Sequence, residues 1–210
     1  MSKMRTVIPA ILLGFFVMGF VDVVGISTSY VKADFDLPDA LASMLPMAVF
    51  LWFFVFSIPT GMLMNKWGKK QVVAASMAVT TVAMVIPMVS YSFATMMVSF
   101  AMLGIGNTML QVSLNPLAAS TVRQEMQASI LTWGQFIKAI SSFLGPILAG
   151  AAALYTGQWR MIFAIYAAVT LISLIYVWFS ANGDKEPVEA VGFGSTLKLF
   201  GDAYIVRLFV

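Results

Sequence analysis

The stretch GMLMNKWGKK, residues 61–70, separates two long apolar runs with three lysines and a glycine near its end. Gly68 favours a tight turn at this point, because glycine adopts positive φ values without steric cost. Lys66, Lys69 and Lys70 are expected at a surface, where their charges stay hydrated. On these properties alone the stretch is a basic hairpin between two apolar helices.

The composition is that of a membrane protein. The chain is 60% hydrophobic and 10% charged, whereas a soluble domain carries about 25% charged residues. With neither Cys nor His, the sequence excludes disulfide bonds, thiol catalysis and imidazole proton relays. It also offers no nucleophile–base pair and no metal-ligand cluster. We therefore expect no enzyme activity, no cofactor, no metal and, at a net charge of +3, no nucleic-acid partner.

Six apolar segments are long enough to cross a bilayer, for which a helix needs about 20 residues. The first is longer than the apolar part of a signal peptide, so we interpret it as a membrane anchor. A seventh apolar segment begins at Ala203. The sequence therefore predicts an all-α membrane bundle of six helices and the start of a seventh. The six predicted spans are residues 7–31, 41–64, 71–91, 94–119, 128–155 and 161–180.

Basic residues outside the spans are distributed unequally between the two sides of the predicted membrane. The positive-inside rule assigns the side richer in Lys and Arg to the cytoplasm. That side holds the N-terminus, the 61–70 loop and residues 181–202, whereas the acidic loop KADFDLPDA, residues 32–40, faces outward. We expect a multi-pass protein of the inner (plasma) membrane, with Trp159 at its outer interface. The inner side has Lys3, Arg5, Lys66, Lys69, Lys70, Arg123, Lys185 and Lys198, and the outer side Lys32 and Arg160.

A second stretch, GNTMLQVSLNP at residues 106–116, places polar side chains inside the fourth predicted span. Asn107, Gln111 and Asn115 are four residues apart and therefore share one face of a helix. Polar groups that face lipid stay unsatisfied, so this face is expected to contact protein or water. The amides could hold neighbouring helices together by hydrogen bonds. We favour the lining of a cavity, because three amides share the face beside two glycines and a proline.

Two charged side chains lie well inside the predicted spans, Asp22 in the first and Lys138 in the fifth. A charge at the bilayer centre costs about 2.5–3.5 kcal/mol, so such residues are candidates for function and each is expected to have a partner. Gln135, Lys138 and Ser142 share one helix face. We expect Asp22 and Lys138 to face each other across one cavity. A static ion pair is the structural alternative.

The loop at residues 61–70 resembles the signature of the major facilitator superfamily, Gly-x-Leu-x-Asp-(Arg/Lys)-x-Gly-(Arg/Lys)-(Arg/Lys). Asn65 stands where most members have Asp, which weakens the charge network of the motif. The resemblance implies one half of a twelve-helix transporter, with six helices arranged as nested inverted repeats. The positions that match are Gly61, Leu63, Lys66, Gly68, Lys69 and Lys70.

The segment GIGNTMLQVSLNP is similar to the fourth helix of the fucose permease family of sugar–proton symporters. There a Gly-x-Gly precedes an acidic or polar residue and an Asn-Pro pair, and the first helix contributes an Asp, matched here by Asp22. Gln111 departs from the Glu that these symporters often carry, and Lys138 is not part of the family pattern. The matching positions in the fourth span are Gly104, Gly106, Gln111, Asn115 and Pro116.

The resemblance implies a secondary active transporter that imports a sugar or a related small solute by alternating access, coupled to protons or to Na⁺. Its partners would be the solute, the coupling ion, the lipid bilayer and a C-terminal half. Two alternatives stay open: a transporter of an anionic solute with Lys138 as charge partner, and a non-transporting membrane scaffold fragment. The residues expected to bind the solute or the coupling ion are Asp22, Asn107, Gln111, Asn115, Gln135 and Lys138.

The chain divides into three predicted units. Residues 1–180 form the six-helix bundle. Residues 181–202, rich in Gly, Pro and mixed charges, form a cytoplasmic connector, and residues 203–210 begin the seventh helix. We expect a truncated transporter. The alternative is a half-transporter that pairs with a second copy of itself.

Overall fold

The computed structural model describes the backbone of residues 2–180 and the side chains of residues 7–180. The predicted connector and the predicted seventh helix lie outside these limits, as do the side chains of Lys3 and Arg5. Residues 2–180 consist of helices joined by short turns, without a strand. The α-helices are α1 (Ser2–Met18), α2 (Val23–Asp34), α3 (Asp39–Ala42), α4 (Met44–Trp67), α5 (Lys69–Val89), α6 (Phe93–Thr121), α7 (Gln124–Thr156) and α8 (Met161–Phe179).

Six helical segments in the described part of the chain are long and apolar enough to span a bilayer. This confirms the predicted fold class, and each predicted span overlaps one observed segment. The ends differ by a few residues, because polar terminal residues such as Lys69 and Gln124 continue a helix beyond its apolar part. The segments are Val7–Asp34, Asp39–Trp67, Lys69–Val89, Phe93–Thr121, Gln124–Thr156 and Met161–Phe179.

The first span is broken near its middle by a 3-10 helix, Gly19–Asp22, between α1 and α2. Gly19 packs directly against α7: a Cβ atom at this position would lie 2.6 Å from the carbonyl oxygen of Lys138 and 2.7 Å from Cβ of Ser141. Only glycine allows the two helices to approach so closely. The close approach at Gly19 therefore fixes the start of the 3-10 helix against the middle of α7.

The helices are buried to very different extents. In the most apolar window of the first span 67% of the residues are buried, whereas in the corresponding windows of α4 and α7 only 22% are buried. Helix α6 packs closely on α4 and α5. A Cβ atom at Gly104 would lie 2.5 Å from the carbonyl oxygen of Val49 in α4. A Cβ atom at Gly106 would lie 2.5 Å from Oγ1 of Thr80 in α5. The first span and α6 thus form the interior, and α4 and α7 leave broad faces uncovered.

The turn between α4 and α5 has the form that the sequence predicts. Gly68 ends α4 and has a φ of 91°, a conformation that side chains with a Cβ adopt at a cost of roughly 1–3 kcal/mol. Helix α5 begins at the next residue, Lys69. The basic loop is thus a one-residue turn between two long helices.

Candidate functional site

The carboxylate of Asp22 lies at the end of the 3-10 helix, on the surface of the six-helix bundle. The hydroxyl of Ser142 on α7 is 2.5 Å from its Oδ2 atom. The same hydroxyl is 3.0 Å from the carbonyl oxygen of Lys138 and 3.5 Å from that of Gly19. A hydroxyl has one proton to donate, and the carboxylate is both the nearest and the most negative acceptor. Ser142 therefore donates to Asp22.

Lys138 lies one helical turn from Ser142 and is half-buried. Its ammonium group makes no ion pair with Asp22; within residues 7–180 the only salt bridge joins Lys32 to Asp39. The two residues nevertheless lie on neighbouring segments, because the carbonyl oxygen of Lys138 lies close to Gly19, three residues before Asp22. The structure thus places both residues at the contact between the first span and α7, without the static ion pair of the structural alternative.

The three amides of α6 differ in their surroundings. Asn107 is buried, with 2% of its surface exposed, whereas Gln111 and Asn115 are half-buried. Among the described residues, Nδ2 of Asn107 and Oδ1 of Asn115 have no hydrogen-bond partner. Because buried polar atoms are normally paired, these two amides are sites where water or a ligand is needed.

Gln135 lies on the uncovered side of α7. Trp133, Phe136 and Phe143 on the same helix are also exposed. The amide of Gln135 and these three aromatic rings can thus contact any protein segment or solute that covers this helix. The site residues on α7 and in the first span are accessible from outside the bundle, whereas Asn107 on α6 lies within it.

Three basic-loop residues were expected to remain at the membrane surface, and one of them makes a specific contact. Nζ of Lys70 is 3.2 Å from the carbonyl oxygen of Trp178 and 2.5 Å from that of Ser180. These carbonyls lie at the C-terminal end of α8, where the helix dipole is negative and favours a cation. The sequence motif therefore binds the end of the sixth span.

A cluster on the predicted outer side of the bundle was not expected from the sequence. The carboxylate of Asp34 accepts hydrogen bonds from the hydroxyl of Tyr91 at 2.5 Å and from Nε1 of Trp159 at 2.9 Å. The guanidinium of Arg160 lies 4.2 Å from the centre of the Tyr91 ring, and Tyr30 stacks on Trp159 with ring centroids 4.9 Å apart. We call these residues, Tyr30, Asp34, Tyr91, Trp159 and Arg160, the outer cluster.

The outer cluster corrects one expectation. Trp159 does not lie in the interfacial belt facing lipid, since only 7% of its surface is exposed. Its indole packs inside the bundle because its N–H group finds an acceptor in Asp34. Burial, followed by the hydrogen bond to Asp34, raises the pKa of Tyr91 well above its ordinary value. The signal in the sequence was the acidic outer loop, but nothing there identified its partners.

The chemistry available at the intramembrane site is that of charge and hydrogen bonding. No group of three or more Asp and Glu residues that could hold a metal ion is found between residues 7 and 180. Asp22 can pair with a cation or accept hydrogen bonds from a polar solute, and Ser142 and Lys138 can donate them.

Solved transporter structures share this fold. One is the xylose transporter XylE from E. coli in an inward-open conformation, with a TM-score of 0.72 and 12% sequence identity. The superposition covers 98% of this chain and 54% of the XylE chain. Another is a crystal structure of a variant of the E. coli fucose:proton symporter FucP, with a TM-score of 0.70 and 12% identity. That superposition covers 95% of this chain and 56% of the FucP chain. In both cases the six helices correspond to about half of a transporter.

Sequence comparison identifies relatives and a family. Two glucose/galactose transporters of Brucella abortus are 26% identical to the chain over 144 residues, which is 67% of this chain and 35% of theirs. The region of similarity thus spans about a third of the length of these relatives. The family model of the Major Facilitator Superfamily matches residues 10–209, nearly the whole chain. The resemblance predicted from the loop motif is confirmed, and this chain is a member of the major facilitator superfamily.

Proposed function

We propose that this chain is the N-terminal half of a secondary active transporter that imports a sugar or a related small solute by alternating access, coupled to protons. The observation that carries this proposal is the placement of Asp22. Its carboxylate is exposed on the six-helix bundle, at the break of a membrane-spanning helix, beside Ser142 and close to Lys138. An exposed charge at this depth does not face lipid, because the free-energy cost is several kcal/mol.

The uncovered faces support a second half as the cover. Asp22 and Gln135 are exposed on the bundle together with a set of aromatic side chains on α7. In transporters of this superfamily the solute binds between two six-helix halves near the bilayer midplane. A second half would place these residues along a water-filled cavity, where both the charge and the amide can be satisfied.

Coupling is assigned to Asp22. A carboxylate holds a proton more strongly in a dry environment and releases it more readily beside a cation. Such a group can carry a coupling proton, and Asp22 is the carboxylate that lies well inside the described spans. Na⁺ is the alternative coupling ion, since the same carboxylate and nearby backbone oxygens are suitable ligands for it.

A sugar is the solute class best supported by the relatives. The similar proteins include glucose/galactose transporters, and the solved structures of the same fold include a xylose transporter and a fucose:proton symporter. The exposed side chains of Trp133 and Gln135 on α7 provide an aromatic surface and an amide, two kinds of group that suit a sugar. The distribution of basic residues supports insertion in the inner membrane with a cytoplasmic N-terminus.

Transport by the full-length protein in proteoliposomes tests this proposal. Neutral sugars and acidic sugars should be supplied in parallel, with an imposed pH gradient or Na⁺ gradient. We expect a pH gradient to drive accumulation of a neutral sugar. Asp22→Asn should abolish this accumulation and leave exchange of sugar down its own gradient intact, because the variant keeps the hydrogen-bonding shape and loses the titrating group. Undiminished pH-driven accumulation in Asp22→Asn contradicts the coupling role.

Lys138 supports a second candidate, transport of an anionic solute. Its ammonium group has no carboxylate within ion-pair distance among residues 7–180, and the residue is half-buried on α7, which is largely uncovered. If it binds a solute carboxylate, Lys138→Ala should abolish uptake of an acidic sugar and change uptake of neutral sugars little.

If Lys138 instead compensates Asp22, Lys138→Ala should impair coupling, and adding Asp22→Asn should partly restore the protein, because one unpaired charge costs more than none. A double variant no better than the worse single variant contradicts that pairing. Failure of the full-length protein to move any of these solutes favours the non-transporting scaffold.

A further inference from the structure

We propose that a groove between α5 and α8 binds an anionic phospholipid, with an acyl chain in the groove and the phosphate group at the end where Lys70 lies. The groove has a volume of about 370 Å³ and is lined by residues of these two helices. The inference goes beyond the proposed transport activity, because it does not depend on which solute is carried.

Small and large side chains together shape the groove. On α5 three alanines, Ala74, Ala75 and Ala78, share one helix face and form one wall. Trp178 and Phe179 of α8, both largely exposed, contribute to the other wall. Inside a bilayer, apolar surfaces select their occupants by van der Waals packing. A flexible acyl chain can fill a depression of this shape, because the short alanine side chains leave room for it.

One end of the groove is basic. Nζ of Lys70 is 3.2 Å from the carbonyl oxygen of Trp178, a residue of the groove wall, and 2.5 Å from that of Ser180. The charge of Lys70 therefore lies where α5 begins and α8 ends. Lys66 and Lys69 add charge nearby in the chain. Neither residues 61–70 nor the helices α5 and α8 contain an Asp or a Glu.

Charge complementarity decides which lipid suits the groove. The positive-inside rule predicts that the basic end lies at the cytoplasmic surface, and an exposed Trp at the same end suits the depth of the lipid headgroups. The cytoplasmic leaflet holds the anionic lipids, and basic pockets between membrane-spanning helices on this side bind acidic headgroups. An anionic phospholipid therefore fits this groove better than a zwitterionic one with the same acyl chains.

A second groove on α5 shows what the basic end adds. It has a volume of about 360 Å³ and is lined by residues between Thr81 and Ser90, toward the other end of the helix. None of the described residues that line it is charged. The two grooves are thus alike in size and differ in charge. Any lipid of the bilayer can occupy either groove, but only the first favours an anionic headgroup.

Lipid binding to the purified full-length protein, measured by native mass spectrometry, tests the proposal. Delipidated protein is titrated with phosphatidylglycerol or with phosphatidylcholine of identical acyl chains. We expect phosphatidylglycerol to bind at least about tenfold more tightly, because each basic residue near an anionic headgroup strengthens binding about fivefold. Glycerol phosphate, which has the charge without the acyl chains, should not compete.

Four variants make the result specific to this groove. Ala75→Phe fills the groove and should abolish the preference for phosphatidylglycerol. Val82→Phe fills the second groove in the same way and should leave the preference unchanged. Lys70→Gln should reduce the preference about fivefold, whereas Lys70→Arg should retain it. If Lys70→Gln cannot be recovered folded, the double variant Lys66→Gln, Lys69→Gln removes charge from the same end and should also reduce the preference.

Equal affinity of the wild type for the two lipids overturns the proposal, because the groove then holds ordinary bilayer lipid or is covered by another part of the protein. A preference that survives in Ala75→Phe overturns it as well, since the lipid then binds elsewhere. So does a dimer that Ala75→Phe dissociates while no lipid is preferred, which gives the groove to a second copy of the chain. The measurement requires no transport, so its outcome is independent of the proposed function.

Discussion

Among single residues, the buried amide of Asn107 is the most informative about what this bundle binds. Asn107 has almost no exposed surface, and its Nδ2 atom has no partner among the described residues. An unpaired buried donor costs about 1–3 kcal/mol relative to a satisfied one. An amide in such a place is therefore either hydrated, ligand-bound or a net cost to stability.

Asn107→Leu distinguishes these cases. The leucine is of similar size and removes the unpaired donor, so we expect the free energy of unfolding in detergent to rise by about 1 kcal/mol. Thermal unfolding of the purified full-length protein, without solute, is the measurement. Ser113→Ala on the same helix serves as control, because that hydroxyl already donates to a backbone carbonyl. A loss of stability in Asn107→Leu means that water or another group pairs with the amide.

At the scale of elements, the basic loop and the end of α8 form one unit. Lys70 contacts the carbonyl oxygens of Trp178 and Ser180, which the helix itself leaves without amide partners. Gly68 provides the turn that directs α5 back toward this end of the bundle. The basic loop thus joins the α4–α5 turn to the last described helix, next to the predicted connector.

Lys70→Met should weaken this connection. Loss of a charge-assisted contact at a helix C-terminus is expected to lower the free energy of unfolding by about 1 kcal/mol. In transport assays the maximal rate should fall while the apparent affinity for solute changes little, because the loop lies far from Asp22. Lys66→Met is the matched control, because Lys66 is an exposed lysine in the last turn of α4. A weaker affinity at an unchanged maximal rate contradicts the expectation.

For the whole molecule, the outer cluster joins three separate turns. Asp34 ends α2, Tyr91 lies between α5 and α6, and Trp159 lies between α7 and α8. One carboxylate accepts hydrogen bonds from both of the other two residues. The ends of these helices at the cluster are thereby held together, which favours movement of the bundle as one rigid body.

The pH dependence of stability reports on this cluster. The pKa of Tyr91 is raised in the folded protein, chiefly by burial and then by Asp34. Its contribution to stability is therefore complete below the ordinary tyrosine pKa of 10.0 and is lost as the pH rises above it. We expect the unfolding temperature to fall more steeply above about pH 10 in the wild type than in Tyr91→Phe.

Tyr155→Phe is the control for this measurement. Its ring is 84% exposed, so removal of its hydroxyl should leave the alkaline slope as in the wild type. Equal slopes for the wild type and Tyr91→Phe contradict the cluster.

The amino-acid sequence by itself determined the features that depend only on residues close together along the chain. Apolar length predicted all six spans, and Gly68 predicted the turn, because hydropathy and backbone freedom act within a few residues. Helical spacing placed the amides of α6 on one face, and the motif at residues 61–70 indicated the superfamily. The helix ends were displaced by a few residues, since polar residues can continue a helix whose apolar part has ended.

Only the tertiary structure decided which distant residues meet. Ser142 and Asp22 are 120 residues apart in the chain, and Trp159 and Asp34 are 125 apart. Their contacts depend on the close approach at Gly19 and on the stacking of whole helices, neither of which has a local signal. The sequence pairs Asp22 with Lys138 because they are the two intramembrane charges. In the folded bundle Asp22 instead accepts a hydrogen bond from the neutral hydroxyl of Ser142. Helix packing, and not charge alone, decides which donor lies nearest to the carboxylate.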